Sequence, residues 1–174
     1  MKVKEQKLHE HGFVRFIDIM GDDNSIADAA RVSYGEGTRS VSDNRNLIRY
    51  LVRNKHTSPL EMVEVKFHLK LPIFIMRQLV RHRTASLNEY SGRYSIMTDD
   101  CYEPSDDYIQ PQSQTNKQGR DGELSDNWKL SYKQKIYEAI NKANVAYKFL
   151  IGNNTPHGGL TRELARTVLP VSNY

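Results

Sequence analysis

The chain has 174 residues, 38% of them apolar, and a formal net charge of +4 from 25 basic and 21 acidic residues. This composition is too apolar for an intrinsically disordered chain, and the mild positive charge favours anionic partners. No run approaches the ~18 apolar residues of a membrane-spanning helix, and MKVKEQKLHEHGF has no apolar secretory core. Cys101 is the single cysteine, which excludes an intrachain disulfide. We therefore expect one domain over residues 1–174, in the cytoplasm and away from membranes.

The first elements in chain order are two predicted helices. In DNSIADAARVSYGEG the helix is expected to be capped by Asn24 or Ser25 and to end at Gly35. VSDNRNLIRYLVRNKH predicts a second helix, with Ser42 as its N-cap and an apolar stripe along one face.

A strand and a third helix follow. VEVKFHLKL alternates apolar and polar residues, which predicts a half-buried strand. Pro72 is expected to occupy the first position of the next helix. Arg77, Gln78 and Arg81 would then share a face near the end of that helix, because residues three or four apart are neighbours on a helix surface.

The second half of the chain predicts a loop and two helices. Residues 98–122 are polar, contain Pro and Gly and show little periodicity, which indicates a surface loop. Apolar residues at helical spacing predict a long helix from its N-cap Ser125 to Gly152. LTRELARTV predicts a short last helix that stops before Pro170. Helices packed on an antiparallel or mixed sheet make the expected fold class α+β.

The densest polar stretch is RHRTASLNEYSGRYS, residues 81–95. A basic run at a helix C-terminus is stabilised by the helix dipole and needs no ligand. Glu89, Ser91, Gly92 and Arg93 nevertheless add a carboxylate, a hydroxyl, a position for close backbone approach and a guanidinium. Arginine binds phosphate through charge-assisted hydrogen bonds of about 1.5–3 kcal/mol each. The stretch indicates either a solvated charged face or a site for a phosphorylated ligand.

Several other chemistries receive little support. His56 lies among Ser58 and Glu61, but a lone loop histidine is more often structural than catalytic. Cys101 is surrounded by acidic residues that disfavour a thiolate nucleophile. The six histidines show no metal-ligand spacing, and no G-x-G-x-x-G or phosphate-binding P-loop is present. No metal site is expected.

Two alternatives remain open. Glu163 can pair locally with an arginine, which is the commoner case, or Arg162 and Arg166 can reach a phosphate from a second segment. Tyr90 and Tyr94 among basic residues would also suit a nucleic-acid-binding surface. The modest net charge argues against a nucleic-acid-binding surface, so nucleic acid is not the expected partner.

The same stretch resembles the signature of the flavin-dependent thymidylate synthases, RHR followed by seven variable positions and S. Supporting matches are AARVSYG, HTSPLE and RELARTVLP, so the resemblance covers nearly the whole chain. It implies methylation of dUMP at C5 with methylene-tetrahydrofolate, FAD reduced by NADPH as the hydride source, and no enzyme nucleophile. It also implies a non-Rossmann flavin-binding fold and a homotetramer with sites shared between subunits.

The resemblance implies roles for individual residues. Catalytic roles are expected for His56, Arg81 and Ser91. Flavin contacts are expected for Ser33, Ser58, Glu61, Arg81, His82, Arg83 and Glu89. Contacts to dUMP are expected for Gln78, Arg81, Glu89, Ser91, Gly92, Arg93 and Arg166, with Ser91 and Arg93 near the phosphate.

One departure from the family concerns the C-terminus. Family members usually continue beyond the segment that matches PVSNY, and this continuation carries further flavin and uracil contacts. Because the sequence stops at Tyr174, we expect these 174 residues alone to bind FAD weakly and to turn over slowly or not at all. The alternatives are a non-catalytic nucleotide- or RNA-binding domain and an inactive remnant of the enzyme.

Overall fold

The computed structural model describes residues 4–33, 43–152 and 156–174. Its strands and longer helices are β1 (Glu5–Leu8), β2 (Gly12–Met20), α1 (Asp23–Val32), α2 (Asn44–Arg53), β3 (Glu64–Lys70), α3 (Ile73–Leu79), α4 (Asp126–Ile151) and α5 (Arg162–Ala165). Short 3-10 helices lie at Ser58–Met62, Asp106–Tyr108 and Arg166–Val168. The strands of the described ranges form an antiparallel sheet in the order β1-β2-β3. Helices and an antiparallel sheet confirm the predicted α+β class.

The chain divides into two compact units. The N-terminal unit comprises Met1–Gln6 and Phe13–Leu69, and the C-terminal unit comprises Lys7–Gly12 and Lys70–Tyr174. The core of the N-terminal unit forms where α1 meets α2 and the 3-10 helix Ser58–Met62. Its members are Ile26, Ala30 and Leu51, with Leu47, Ile48, Leu60 and Val63 packed against them.

The start of α1 corrects one prediction. Asp22, rather than Asn24 or Ser25, is the N-cap: its carboxylate accepts a hydrogen bond from the amide of Ser25 at 3.0 Å. Ser25 returns the interaction, because its hydroxyl oxygen accepts from the amide of Asp22 at 3.1 Å. Ser25 therefore stands at the third helical position of a capping box. The helix end predicted at Gly35 lies outside the described residues.

Helix α2 is confirmed, with Asp43 at its N-cap position and no capping bond from that side chain. Ser42, the predicted cap, lies outside the described residues. Strand β3 is also confirmed, but its expected half-burial is wrong in the middle of the strand. Val65 is 46% exposed and Phe67 52%, although the Phe67 ring meets Phe16 edge-on at 6.3 Å.

Helix α3 is shorter at its end than the sequence predicts. Pro72 occupies the N-cap position instead of the first helical position, and the helix ends at Leu79. Arg81 lies beyond the helix, in a turn where its amide donates to the carbonyl of Gln78 at 3.1 Å. The expected helical face shared by Gln78 and Arg81 is therefore replaced by a turn.

The stretch from residue 98 to residue 122 contains the 3-10 helix Asp106–Tyr108 and otherwise irregular backbone with isolated bridges. Cys101 and Ile109 are nevertheless buried, and Cys101 pairs with Asn173 in an antiparallel bridge. The burial of Cys101 is a second argument against a nucleophilic role, besides its acidic neighbours in the sequence.

Helix α4 confirms the longest prediction, since Ser125 is its N-cap residue and Gly152 its C-cap residue. The last predicted helix appears as α5 followed by the 3-10 helix Arg166–Val168, and both end before Pro170. Within the ranges that the structure describes, no helix is long and apolar enough to cross a membrane.

Candidate nucleotide site

The predicted substrate residues Ser91, Gly92 and Arg93 form a tight turn in the C-terminal unit. The amides of Tyr94 and Ser95 donate to the carbonyl of Ser91 at 3.2 and 3.0 Å. The amide of Arg93 donates to the Ser91 hydroxyl oxygen at 3.3 Å. Because the hydroxyl acts as an acceptor in this bond, its own O–H remains available as a donor.

Gly92 lets Arg166 lie against this turn. Gly92 is buried, and a Cβ placed on it would stand 2.9 Å from the Met97 sulfur and 3.2 Å from Arg166 Cδ. The guanidinium atom Nη1 of Arg166 would be 3.4 Å from the same point. A side chain at position 92 would therefore be crowded by Met97 and Arg166, which accounts for the glycine. The structure places Arg166 against Gly92, the middle residue of the turn, and the family resemblance assigns both residues to the substrate site.

Two contacts join α5 to the same turn. Glu163 Oε2 lies 3.4 Å from Arg93 Nε, and Arg162 Nη1 donates to the carbonyl of Tyr94. Of the alternatives left open by the sequence, local pairing of Glu163 is not the one found, because its partner Arg93 lies in a distant segment. Exposed ion pairs of this kind contribute only about 0.2–1 kcal/mol, so the Arg93 guanidinium remains accessible to a stronger anion.

The residues before the turn have a different environment. Arg81, His82, Arg83 and Glu89 are exposed, as is Gln78 at the end of α3. Within the described residues, the side chains of Arg81, His82, Arg83 and Glu89 have no hydrogen-bond or ion-pair partner. Among the described residues, the structure thus leaves the cationic side chains of Arg81 and Arg83 unpaired before the turn. It shows no contact between them and the Ser91–Arg93 group.

The remaining predicted residues lie in the N-terminal unit. Ser58 and Glu61 are exposed on the 3-10 helix Ser58–Met62, and Ser33 is the C-cap residue of α1, which packs against that helix. His56 is exposed just before it, with its ring 6.0 Å from the ring of Tyr50. The amide of His56 donates to the carbonyl of Leu51 at 2.9 Å, which fixes its backbone at the end of α2.

The family is decided by a comparison with known proteins. The family model described as "Thymidylate synthase complementing protein" matches residues 15–174. The chain belongs to this family. It is 47% identical over 175 residues to the flavin-dependent thymidylate synthase of Wolbachia pipientis wMel, with 98% of this chain and 58% of that protein covered. It is 49% identical over 165 residues to the enzyme of the same name from Thermus thermophilus, with 95% and 57% covered.

Solved structures of the family's fold agree with this assignment. The UMP/dUMP methylase PolB from Streptomyces cacaoi, bound with 5-Br dUMP, matches with a TM-score of 0.78 and 34% identity. That match covers 94% of this chain and 69% of PolB. The PolB structure bound with 5-Br UMP matches with a TM-score of 0.77, also at 34% identity, over 93% of this chain and 67% of PolB. The chain spans somewhat more than half the length of the Wolbachia and Thermus relatives it matches.

Three residues of the C-terminal unit support the turn in ways that sequence reasoning missed. The sequence offers Arg162 as a phosphate ligand, but its guanidinium bonds the Tyr94 carbonyl. Helical spacing places Tyr147 in the apolar stripe of α4, although its hydroxyl accepts a hydrogen bond from the amide of Met97 at 2.9 Å. No pattern in the sequence singles out Asn173. A polar group on the buried face of a helix is the one signal that could have indicated Tyr147.

This arrangement can bind an anion, because the Ser91 hydroxyl and the guanidinium groups of Arg93 and Arg166 are hydrogen-bond donors. Arg81 and Arg83 lie exposed in the preceding stretch. In the described part of the chain, no three His, Cys, Asp or Glu side chains are grouped as metal ligands.

Proposed function

We propose that the protein is a flavin-dependent thymidylate synthase that converts dUMP to dTMP. Methylene-tetrahydrofolate would donate the carbon, and FAD reduced by NADPH would donate the hydride. The observation that carries the proposal is the Ser91–Arg93 turn, on which Arg166 lies. Relatives covering this chain carry the same enzyme name, and PolB was crystallised with brominated uridine nucleotides.

The turn suits the phosphate of dUMP. The Ser91 O–H has no acceptor among the described residues, and the guanidinium groups of Arg93 and Arg166 supply charge from two separate segments. Each of these three donors can form a charge-assisted hydrogen bond of about 1.5–3 kcal/mol. Together they would supply most of the binding energy of a micromolar ligand, which is about −8 kcal/mol, before ordering costs. Gln78, Arg81 and Glu89 would bind the rest of the nucleotide.

The donor set also fits a flavin dinucleotide. Arg81, His82 and Arg83 are exposed, and their side chains have no partner in the described ranges, which suits groups that bind a pyrophosphate. Ser33, Ser58, Glu61 and Glu89 are the further flavin contacts that we assign. When bound, FAD supplies the hydride chemistry that the side chains cannot supply themselves.

The described residues provide no sign of an activated nucleophile. Among them, the Ser91 hydroxyl oxygen accepts from the Arg93 amide at 3.3 Å, and its O–H has no acceptor. Ser91 would therefore act as a hydrogen-bond donor to the nucleotide. His56 is an exposed imidazole at the end of α2, and we assign it to the neighbourhood of flavin and folate.

A homotetramer in the cytoplasm, with sites shared between subunits, is part of the proposal. Large apolar side chains along α4 are exposed, including Trp128, Val145 and Phe149. Exposed apolar surface on this scale is typical of surfaces that pack against another chain. Sedimentation equilibrium of the purified protein would show one species of four chains.

The test combines binding and turnover in the protein expressed from its intact reading frame. After incubation with FAD and desalting, the flavin absorption spectrum should be retained and should change on addition of dUMP. Assays with methylene-tetrahydrofolate and NADPH should yield dTMP. Arg166→Gln should weaken dUMP binding by about 10- to 100-fold, because one charge-assisted bond is lost.

Arg120→Gln is the matched control. Arg120 is also an exposed arginine of the C-terminal unit, but its guanidinium rests 4.5 Å from the ring centroid of Tyr108. This variant should bind dUMP as the wild type does. Retention of RNA in place of flavin, with affinity that falls steeply with salt, would contradict the proposal and favour a nucleic-acid-binding domain. Binding of no ligand would identify an inactive remnant.

A further inference from the structure

We propose that Tyr147 and Asn173 are positioning residues, which hold the Ser91–Arg93 turn in its nucleotide-binding geometry through the segment 97–101. The inference rests on the proposed function, because the ligand it concerns is dUMP. Neither residue has a role in the resemblance to the family, and neither is expected to touch a ligand. Both act through the backbone that follows the turn.

Tyr147 fixes the start of the segment. This α4 residue is only 3% exposed, and its hydroxyl accepts a hydrogen bond from the amide of Met97 at 2.9 Å. The Met97 sulfur lies so close to Gly92 that a Cβ on Gly92 would approach it to 2.9 Å. A shift of Met97 would therefore be transmitted directly to the buried glycine of the turn and to Arg166 beside it.

Asn173 fixes the middle of the segment. It is completely buried, and its side-chain amide donates to the carbonyls of Thr98 at 2.8 Å and Asp100 at 3.0 Å. Both hydrogens of the NH₂ group are used in these bonds. An aspartate would have nearly the same shape, but its carboxylate would place negative charge against two carbonyl oxygens. Position 173 therefore requires a side chain with hydrogen-bond donors, and a side chain of the same shape without them does not suffice.

The backbone of the same residue reaches α3. The carbonyl of Asn173 accepts from the amide of Ile73 at 2.9 Å, and Asn173 forms an antiparallel bridge with Cys101. Asn173 thus connects the segment after the Ser91–Arg93 turn with Ile73, the first residue of α3. That helix also carries Gln78, so each connected part adjoins a residue of the proposed dUMP site.

The exposed contacts of the same segment provide an internal contrast. Lys148 Nζ lies 2.7 Å from Asp99 Oδ2, but the two side chains are 63% and 60% exposed. Exposed ion pairs contribute little, whereas an unpaired buried amide or carbonyl is costly. The buried anchors should therefore control the geometry of the segment, and the exposed ion pair should not.

The test uses Tyr147→Phe and Asn173→Asp, which retain side-chain size and remove only the anchoring bonds. Controls are Tyr137→Phe, the same change at an exposed position of α4, and Lys148→Met, which removes the exposed ion pair. The flavin-loaded protein is titrated with dUMP by calorimetry, and the ³¹P chemical shift of bound dUMP is recorded. Both anchor variants should lose about tenfold in dUMP affinity and should move the ³¹P resonance. Both controls should match the wild type.

The ³¹P shift separates positioning from stability, because it reports the surroundings of the phosphate in molecules that are folded and bound. Wild-type affinity and an unchanged ³¹P shift in Tyr147→Phe would overturn the inference, even if Asn173→Asp failed to fold. Failure of the wild type to bind dUMP would overturn the proposed function, and this inference with it. Binding by the wild type and equally by both anchor variants would overturn the inference alone.

Discussion

Two consecutive stretches of the C-terminal unit, residues 81–90 and residues 91–101, differ sharply in how they are held. The first is exposed throughout, and the side chains of Arg81, Arg83 and Glu89 have no partner within the described residues. The second is fixed from several sides. Its contacts come from α4 through Tyr147, from α5 through Arg162 and from the C-terminal segment through Asn173.

The difference separates two ways of building a ligand site. The 91–101 stretch is organised by protein contacts alone, so a nucleotide would meet a nearly finished phosphate site and would incur little ordering cost. The 81–90 stretch keeps its charges solvated until a ligand replaces water. The entropy cost of ordering residues 81–90 arises when a ligand binds. The affinity for that ligand therefore depends more strongly on the number of hydrogen bonds that it forms with this stretch. We therefore expect mutations in the two stretches to have different signatures.

The largest expected effect comes from the exposed stretch. The double variant Arg81→Gln/Arg83→Gln should lose FAD affinity by at least about 100-fold, since two charge-assisted bonds of about 1.5–3 kcal/mol each disappear. Its free energy of unfolding without ligand should stay within about 0.5 kcal/mol of the wild type, because these side chains have no partner among the described residues. Flavin fluorescence titration and urea unfolding measure the two quantities. A double variant that unfolds easily without ligand would contradict the comparison.

Gly92→Ala, in the 91–101 stretch, is expected to have a smaller effect, but it should lower both stability and dUMP affinity. The new methyl group would meet the Met97 sulfur at 2.9 Å and Arg166 Cδ at 3.2 Å. Overpacking of this kind costs about 1–3 kcal/mol, and the displaced Arg166 should weaken dUMP binding about tenfold. Thermal unfolding and dUMP titration should therefore both change. Ser95→Ala, within the same turn, is the matched control and should leave dUMP affinity unchanged.

The smallest expected effect concerns pH and the segment's ion pair with Lys70. A hydrogen bond from Lys70, whose Nζ lies 2.5 Å from Asp100 Oδ2, is the main cause that holds the pKa of Asp100 below its ordinary 3.8. The folded state therefore favours the carboxylate, and this stabilisation is present above pH 3.8 and is lost as pH falls through the lowered pKa. Asp100→Asn should lose less than about 1 kcal/mol at pH 7 and should show a flatter loss of stability below about pH 4.

Urea unfolding at pH 7 and pH 3 measures how the stability of Asp100→Asn and of the wild type changes with pH. Asp107→Asn is the control, because Asp107 is exposed in the same region and is part of no ion pair among the described side chains. It should follow the wild-type pH dependence. Parallel curves for Asp100→Asn and the wild type would refute the assigned role of Lys70.

Local patterns in the sequence predict much of the fold. The apolar period of α4, with Ser125 and Gly152 at its ends, is sufficient for the longest element. The same rules fail where neighbouring residues compete for one role: Asp22 caps α1 because its carboxylate reaches Ser25. They also fail for Val65 and Phe67, since alternation shows which face of a strand is apolar but does not show what covers it.

For the candidate site, local sequence patterns indicate which residues belong to it, but they do not indicate which contacts hold those residues in place. The signature places Ser91, Gly92 and Arg93 in one stretch, and the structure adds Arg166 to them. Contacts between distant segments cannot be predicted, because no local pattern connects Glu163 with Arg93 or Asn173 with Thr98. Arg81 is expected on a helix, but the helix ends at Leu79 and places it in a turn. The sequence therefore indicates candidate ligand-binding residues better than it indicates what holds them.

Hydrogen exchange of the purified protein, measured with and without FAD and dUMP, tests the central claim most directly. The claim is that the nucleotide turn is formed in advance and that the preceding basic stretch is ordered by its ligands. We predict slow exchange of the Tyr94, Ser95 and Met97 amides without any ligand, and fast exchange over residues 86–90 that slows when FAD and dUMP are added. Fast exchange of all these amides without ligand, or exchange over residues 86–90 that FAD and dUMP leave unchanged, would contradict the account.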